Sequence, residues 1–262
     1  MKKFTVFSRP DEISSEICRK LIEDILPYGY VRDDDHPDIV FVIGGDGTFL
    51  YAVHQILRKK GVNTDHVRFY GIHTGTLGFY TDFKDSDYDE FVRCLVENKV
   101  WEVDFPLLQA IYGEDNKHNA INEIRIENPA RTQKLDVYIN GDYFETFRGT
   151  GMCVCTQLGS TAFNRSLGGA VIQEGLDLIE LTEIAGLHHS KARSLFAPIV
   201  LRNDSVIEFR TDSFKGAVLG CDADVYPLDG YTSLTIRLCR TTSVRTLRGR
   251  DVYYLDRLRA LF

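Results

Sequence analysis

One segment limits the folds open to this chain more than any other. Ile39-Val40-Phe41-Val42-Ile43 is a continuous apolar run, and Gly44-Gly45-Asp46-Gly47 follows it directly, ahead of a helical pattern from Thr48 to Leu57. A run with no polar alternation fits a strand covered on both faces, as in a parallel sheet. Parallel strands need crossover connections, usually helices, and the flanking sequence supplies them. Phe4-Thr5-Val6-Phe7 reads as a strand, and Ile13, Ile17, Leu21 and Ile25 mark one face of a helix over Asp11 to Leu26, stopped by Pro27 and Gly29. Val67 to Ile72 reads as another strand, and Asp87 to Glu97 as a helix with Tyr88, Phe91, Val92 and Leu95 inward. The βαβαβα order predicts an α/β N-terminal domain with a parallel sheet over residues 1–100.

After Trp101 the texture changes to short apolar runs, among them Leu107–Tyr112, Ala120–Ile126, Leu135–Ile139, Met152–Thr156 and Leu234–Leu238. Asn140-Gly141 between two such runs is a strong hairpin signal. Residues 101–238 therefore read as a mainly-β C-terminal domain. Residues 239–262 read as a closing helix or as a segment returning to the first domain.

Composition excludes several classes. Of 262 residues, 44% are hydrophobic and 26% charged, the balance of a soluble globular protein and not of a disordered one. No apolar run reaches the ~18–20 residues of a membrane span. The first residues read as a strand and not as a secretion signal. Six cysteines without a CxxC pair are expected to be reduced thiols, and the expected location is cytoplasmic. A net charge of −7 argues against nucleic acid as a partner. The charge is uneven, since Arg237 to Phe262 carries seven arginines against two aspartates. Two readings stay open for these arginines: pairing with the acidic body, or a share in a polyanion site.

The glycine turn carries the chemistry. Three glycines let backbone N–H groups approach a ligand closely, and the helix N-terminus behind them favours an anion, typically phosphate. Asp46 is out of place there, because a carboxylate repels phosphate. A base that takes a proton from a hydroxyl nucleophile, or a metal–phosphate contact, would account for it; the alternative is that Asp46 only caps the helix. GxxxxGK[ST] is absent and GxGxxG fails at Leu50, so neither a P-loop nor a dinucleotide fingerprint is present. A second glycine loop, His73-Thr74-Gly75-Thr76-Leu77-Gly78-Phe79, follows the next strand, where α/β sheets hold ligands. His73 reads equally as a site residue or a structural one. His188-His189 are adjacent and so point apart on a helix, and no protein metal site is expected.

Together, GGDGT at 44–48, HTGTLGF at 73–79, Asn122-Glu123, FRGTG at 147–151, GSTAFNRSLGG at 159–169 and Asp222 resemble the NAD kinase family. GGDGT alone is shared with lipid kinases, but this chain shows no basic or apolar membrane-facing helix, so no membrane partner is expected. The resemblance implies transfer of the γ-phosphoryl of ATP, or of polyphosphate, to the 2′-hydroxyl of the adenosine ribose of NAD. It further implies a divalent metal (Mg) with ATP, and a homodimer or homotetramer. By motif, Asp46 would be the base. Gly44, Gly45, Gly47, Thr48, Thr74, Gly75 and the rest of the 73–78 loop would hold phosphates. Gly47, Phe79, Asn122, Glu123, Arg148, Thr150, Thr161, Ala162, Phe163, Asn164, Arg165, Ser166 and Ala185 would join Asp46 around NAD.

The chain departs from the family pattern at Thr150, where an aspartate is usual, at Gln157 for proline, at Phe163 for tyrosine, and at Ala223-Asp224 after Asp222. These changes bear on affinity and substrate identity more than on reaction class. A kinase for another nucleoside or dinucleotide, or a weakly catalytic nucleotide-binding sensor, is the alternative.

Overall fold

A computed structural model describes residues 2–59, 64–75, 78–188 and 194–261. The chain divides into two compact units, Met1–Phe105 with Thr242–Phe262, and Pro106–Thr241.

The first unit opens with β1 (Lys2–Ser8), α1 (Glu12–Ile25), β2 (Tyr30–Arg32), β3 (Ile39–Ile43), α2 (Asp46–Arg58), β4 (Arg68–His73), β5 (Phe83–Lys84) and α3 (Tyr88–Val96). The strands run parallel in the order β2-β1-β3-β4, with β5 paired to β4. Every residue of β3 is buried, as its unbroken apolar run requires. Leu21 and Ile25 of α1 and Phe91 and Leu95 of α3 pack with Phe4, Phe41, Ile43 and Tyr70 of the sheet. Phe69 alternates with Tyr70 and points the other way, where Phe49 of α2 meets it at 5.5 Å between ring centres. α1 starts at Asp11, whose carboxylate accepts the Ser14 N–H at 2.9 Å. The sequence reading had no strand at Tyr30–Arg32. Three residues between Gly29 and a run of aspartates are too few to show a period.

The second unit is antiparallel. Its strands are β6 (Trp101–Tyr112, from Pro106 on), β7 (Asn116–Ala120), β8 (Glu123–Glu127), β9 (Gln133–Ile139), β10 (Asp142–Gly149), β11 (Gly151–Thr156), β12 (Leu178–Ile184), β13 (Ile199–Arg202), β14 (Ile207–Arg210), β15 (Val218–Cys221), β16 (Asp224–Pro227) and β17 (Ser233–Arg248, as far as Thr241). A short helix, α4 (Phe163–Ser166), follows β11. One layer is ordered β13-β12-β11-β8-β15-β16, the other β10-β9-β14-β17 with β6 beyond β17 and β7 beyond β6. Ile124, Val154 and Leu181 of the first layer share a core with Val137, Phe209 and Ile236 of the second. β9 and β10 turn at Asn140 and Gly141, with φ of 55° and 92°, and Asp142 pairs with Ile139. Positive φ at both turn positions is what a two-residue hairpin with the native twist demands, and Asn-Gly provides it.

Beyond Thr241 the chain belongs to the first unit, where Arg245 and Thr246 pair in parallel with Arg68 and Phe69 of β4. α5 (Tyr254–Arg259) follows. Among the described residues no helix is long and apolar enough to cross a membrane.

Candidate functional site

In the first unit the site residues gather where β3 and β4 end. Gly44, at φ 152°, turns the chain out of β3; a Cβ there would lie 2.4 Å from Thr48 Oγ1. Its N–H donates to the Ile72 carbonyl at 3.0 Å, and the Thr48 N–H donates to the Gly45 carbonyl at 2.9 Å. Gly44 and Thr48 thus use their amides within the protein, which leaves Gly45 to Gly47 as the segment whose amides can meet a phosphate. The Thr74 hydroxyl is likewise engaged, 2.9 Å from Ser14 Oγ of α1. Thr76 and Leu77 lie outside the described residues, as does His189.

Asp46 is the first residue of α2, and Gly45 is the cap. The carboxylate therefore does not cap its own helix, the alternative the sequence left open. It reaches across to the second glycine loop, where Oδ2 accepts the Phe79 N–H at 3.0 Å and Oδ1 the Tyr80 N–H at 3.4 Å. A Cβ on Gly78 would fall 2.0 Å from Asp46 Oδ1, so only glycine leaves the carboxylate its place. Tyr80 stacks on Phe49 of α2, 4.7 Å between ring centres, and fixes the loop from below. His73 Nε2 would sit 3.4 Å from a Cβ on Gly45. Burial lowers the His73 pKa from its ordinary value, while the attraction of Asp46 works the other way.

In the second unit two groups form. In the first group, Asn122 and Glu123 enter β8 under the carboxylate of Asp222, which accepts the N–H of Ile121 at 2.9 Å, of Asn122 at 2.8 Å and of Glu123 at 3.1 Å. Asp222 holds φ 51°, a left-handed conformation that Asp and Asn tolerate best after glycine. The Asn122 carbonyl lies 2.0 Å from where a Cβ on Gly159 would be, so the 158–166 segment crosses β8 at closest approach. The Phe163 ring lies 4.4 Å from the Arg125 guanidinium, and its backbone N–H favours the ionised form of the Glu123 carboxyl, against the effect of burial. The sequence reading missed Arg125, yet it stands two residues after Glu123 on a strand and so shares its face.

The hydroxyls of this segment fold inward. Thr161 Oγ1 donates to the Leu158 carbonyl at 3.0 Å and Ser166 Oγ to the Phe163 carbonyl at 2.6 Å. Asn164 is fully buried; its amide donates to Glu180 Oε2 at 2.8 Å and accepts from Thr182 Oγ1 at 2.7 Å. A residue expected to face NAD thus pins the turn that carries Ala162, Phe163 and Arg165. Arg165 and Ser166 are exposed.

The second group lies at the other end of β11. The Thr150 N–H donates to the Ile184 carbonyl at 3.0 Å, and the Leu187 N–H to the Arg148 carbonyl at 2.7 Å. Ala185, at φ 47°, closes this corner and lines a cleft of about 270 Å³ with Leu167, Glu183 and Phe196. Glu123 pairs with Cys155 and Ile184 with Gly151, so the two groups stand roughly 13 Å apart along the strand. The structure does not bring Arg148, Thr150 and Ala185 to Asn122, Glu123 and Phe163. Among the described residues no cluster of three His, Cys, Asp or Glu is placed to hold a metal ion.

Glu123 is 6% exposed and its Oε2 has no hydrogen-bond partner among the described residues. Burial first, and the Asp222 carboxylate second, push its carboxyl from 4.5 up to about 7. A carboxyl so raised contributes its stability in full below pH 4.5 and loses it as the pH climbs through about 7. Glu123→Gln is therefore expected to be more stable than the parent at pH 8, by about 1–3 kcal/mol, and no more stable at pH 4.5. Urea unfolding at the two pH values checks this; a gap independent of pH would remove the buried charge as its cause.

Residues 6–100 match the family profile of the ATP-NAD kinase N-terminal domain, and residues 121–242 that of the ATP-NAD kinase C-terminal domain. The NAD kinase of Latilactobacillus sakei is 34% identical over 99% of this chain and 97% of its own length. That of Limosilactobacillus reuteri is 37% identical over 85% and 83%. Among solved structures, an Archaeoglobus fulgidus NAD kinase in complex with ATP covers the whole chain and 97% of its own at a TM-score of 0.74 and 21% identity. Yeast NADH kinase complexed with NADH does so over the whole chain and 86% of its own at 0.78 and 18%. At those identities the structures speak for the fold alone. The two profiles and the sequence relatives go further: this chain belongs to the NAD kinase family.

Proposed function

We propose that the protein transfers the γ-phosphoryl group of ATP to the 2′-hydroxyl of the adenosine ribose of NAD, giving NADP and ADP. The observation that carries this reading is the placement of Asp46. Its carboxylate is held by the Phe79 and Tyr80 amides at the N-terminus of a helix and between two glycine loops, in a chain of this family. There it accepts the proton of the 2′-hydroxyl as that oxygen attacks the γ-phosphorus. The bond from phosphorus to the β–γ bridging oxygen breaks and ADP leaves. Such transfers depend mainly on positioning and charge neutralisation. The Gly45–Gly47 amides and the α2 N-terminus serve the phosphates, and magnesium arrives as part of the nucleotide substrate. Asn122, Glu123 and the Phe163 ring serve the adenosine end of NAD. Exposed Leu187, Leu195, Phe196 and Val200 support self-association as a dimer or tetramer, which light scattering tests.

Mass spectrometry of the product from ATP, magnesium and NAD tests the reaction; absence of NADP with turnover on another adenosine compound would favour the related kinase instead. Thr150 refines the test. Its backbone N–H and C=O are both taken, by Ile184 and Asn128, so only its hydroxyl is left for a ligand. Bonds to a charged acceptor contribute ~1.5–3 kcal/mol against ~0.5–1.5 for neutral ones. Thr150→Asp is expected to lower KM for NAD several-fold, on the order of 1 kcal/mol, with little change in kcat. If it worsens NAD use while the parent prefers another acceptor, the pocket is tuned to that acceptor.

A further inference from the structure

Two buried arginines from the far end of the sequence grip the loop that carries the Asp46 amides. Arg257 of α5 is 3% exposed, Arg248 at the end of β17 is 4% exposed, and Asp82, which both contact, is 3% exposed. Arg257 Nη1 donates to the carbonyls of Gly78 at 2.7 Å and Thr81 at 2.6 Å, while Nη2 meets Asp82 Oδ1 at 2.6 Å. Arg248 Nη1 is paired with the same Oδ1, and its Nη2 donates to the Phe79 carbonyl at 3.3 Å. The ring of Tyr254, in the first turn of α5, meets the Phe79 ring edge-on at 6.3 Å. Phe79 is thus held on three sides: its N–H by Asp46, its C=O by Arg248 and its ring by Tyr254.

A buried ion cluster is a poor way to gain stability, because desolvation consumes most of the attraction. What a guanidinium fork does well is fix geometry, through several donors in one rigid plane. Here the Nη1 and Nη2 bonds of both arginines fall on residues 78 to 82, and the amides of the same loop meet Asp46. We propose that Arg257 and Arg248, through Asp82 and the 78–81 carbonyls, are positioning residues for Asp46. They set where the Phe79 and Tyr80 amides lie and so where the carboxylate points. This also decides between the two sequence readings of the C-terminal arginines for three of them, since Arg250 meets Asp87 at 2.5 Å and Glu90 at 3.3 Å. The proposal rests on Asp46 being the base.

The test is a double-mutant cycle. Arg257→Met is expected to lower kcat roughly tenfold with KM for NAD and ATP within about twofold, the signature of a misplaced group and not of lost binding. Arg257→Lys, which restores the charge but not the fork, is expected to recover part of the loss. In an Asp46→Asn background, Arg257→Met is expected to cost less than about twofold more. Leu21→Ala, in the α1 core and away from the loop, matches a loss of stability and is expected to keep kcat. Equal costs of Arg257→Met in both backgrounds would overturn the proposal, as would parental kcat in Arg257→Met or a kcat loss in Leu21→Ala of the same size. If Arg257→Met does not fold, Arg257→Lys is carried through the same cycle and judged the same way. A slow Asp46→Asn beside a normal Arg257→Met ends this proposal alone; parental turnover in Asp46→Asn ends the reading it rests on.

Discussion

Asp46→Asn is expected to lower kcat by about a hundredfold or more while KM for NAD stays within about threefold, the scale and pattern of a lost general base. The structure makes this a clean substitution. The turn that presents Asp46 is shaped by Gly44 at φ 152° and capped by the Gly45 backbone, so the carboxylate is not needed to form it. An asparagine oxygen can still accept the Phe79 N–H, which lies 3.1 Å from Oδ1 and 3.0 Å from Oδ2. The carboxamide keeps the shape and that bond but cannot take a proton at neutral pH. Steady-state kinetics on purified protein, beside a thermal melt to verify folding, measure the effect. Near-parental kcat would remove Asp46 from the chemistry and leave it as the residue that ties two glycine loops together.

Features set by local rules were legible from the sequence. An unbroken apolar run became a strand buried on both faces, Asn140-Gly141 became a two-residue turn, and GGDG became a strand-to-helix corner because glycine alone fits at position 44. What was hidden depends on partners far along the chain. Arg257 and Gly78 are separated by 179 positions, and nothing local distinguishes an arginine that grips a loop from one that faces water. Asn164 was misleading for a related reason. It sits in a segment rich in small and hydroxyl residues, yet Glu180 and Thr182 lie on the next strand and draw its amide inward. A residue in a binding motif can serve by holding the turn, and the sequence carries no mark of which side of the turn its side chain takes. The separation of Arg148, Thr150 and Ala185 from Glu123 was invisible for the same reason, because it follows from strand register.

Asp222 shows how much one such distant contact carries. Asp222→Ala is expected to destabilise the protein by roughly 3–5 kcal/mol, since three buried N–H groups, those of Ile121, Asn122 and Glu123, lose their acceptor at about 1–3 kcal/mol for each left unsatisfied. Alanine at φ 51° adds strain of about 1 kcal/mol that aspartate bears more easily. Part of the loss returns at high pH. The Asp222 charge is the second cause of the raised Glu123 carboxyl, so deleting it relieves Glu123 wherever that group is ionised, above about pH 7. The destabilisation should therefore be larger at pH 5 than at pH 8. Asp222→Asn keeps the backbone tolerance and one acceptor oxygen, and should cost less at both. Asn122 and Glu123 stand on the clamped segment, so Asp222→Ala should also raise KM for NAD more than it lowers kcat. Urea unfolding at both pH values measures the first effects and steady-state kinetics the last. A loss under about 1 kcal/mol would mean that water or a shifted chain replaces the carboxylate, and that β8 is held by its strand neighbours instead.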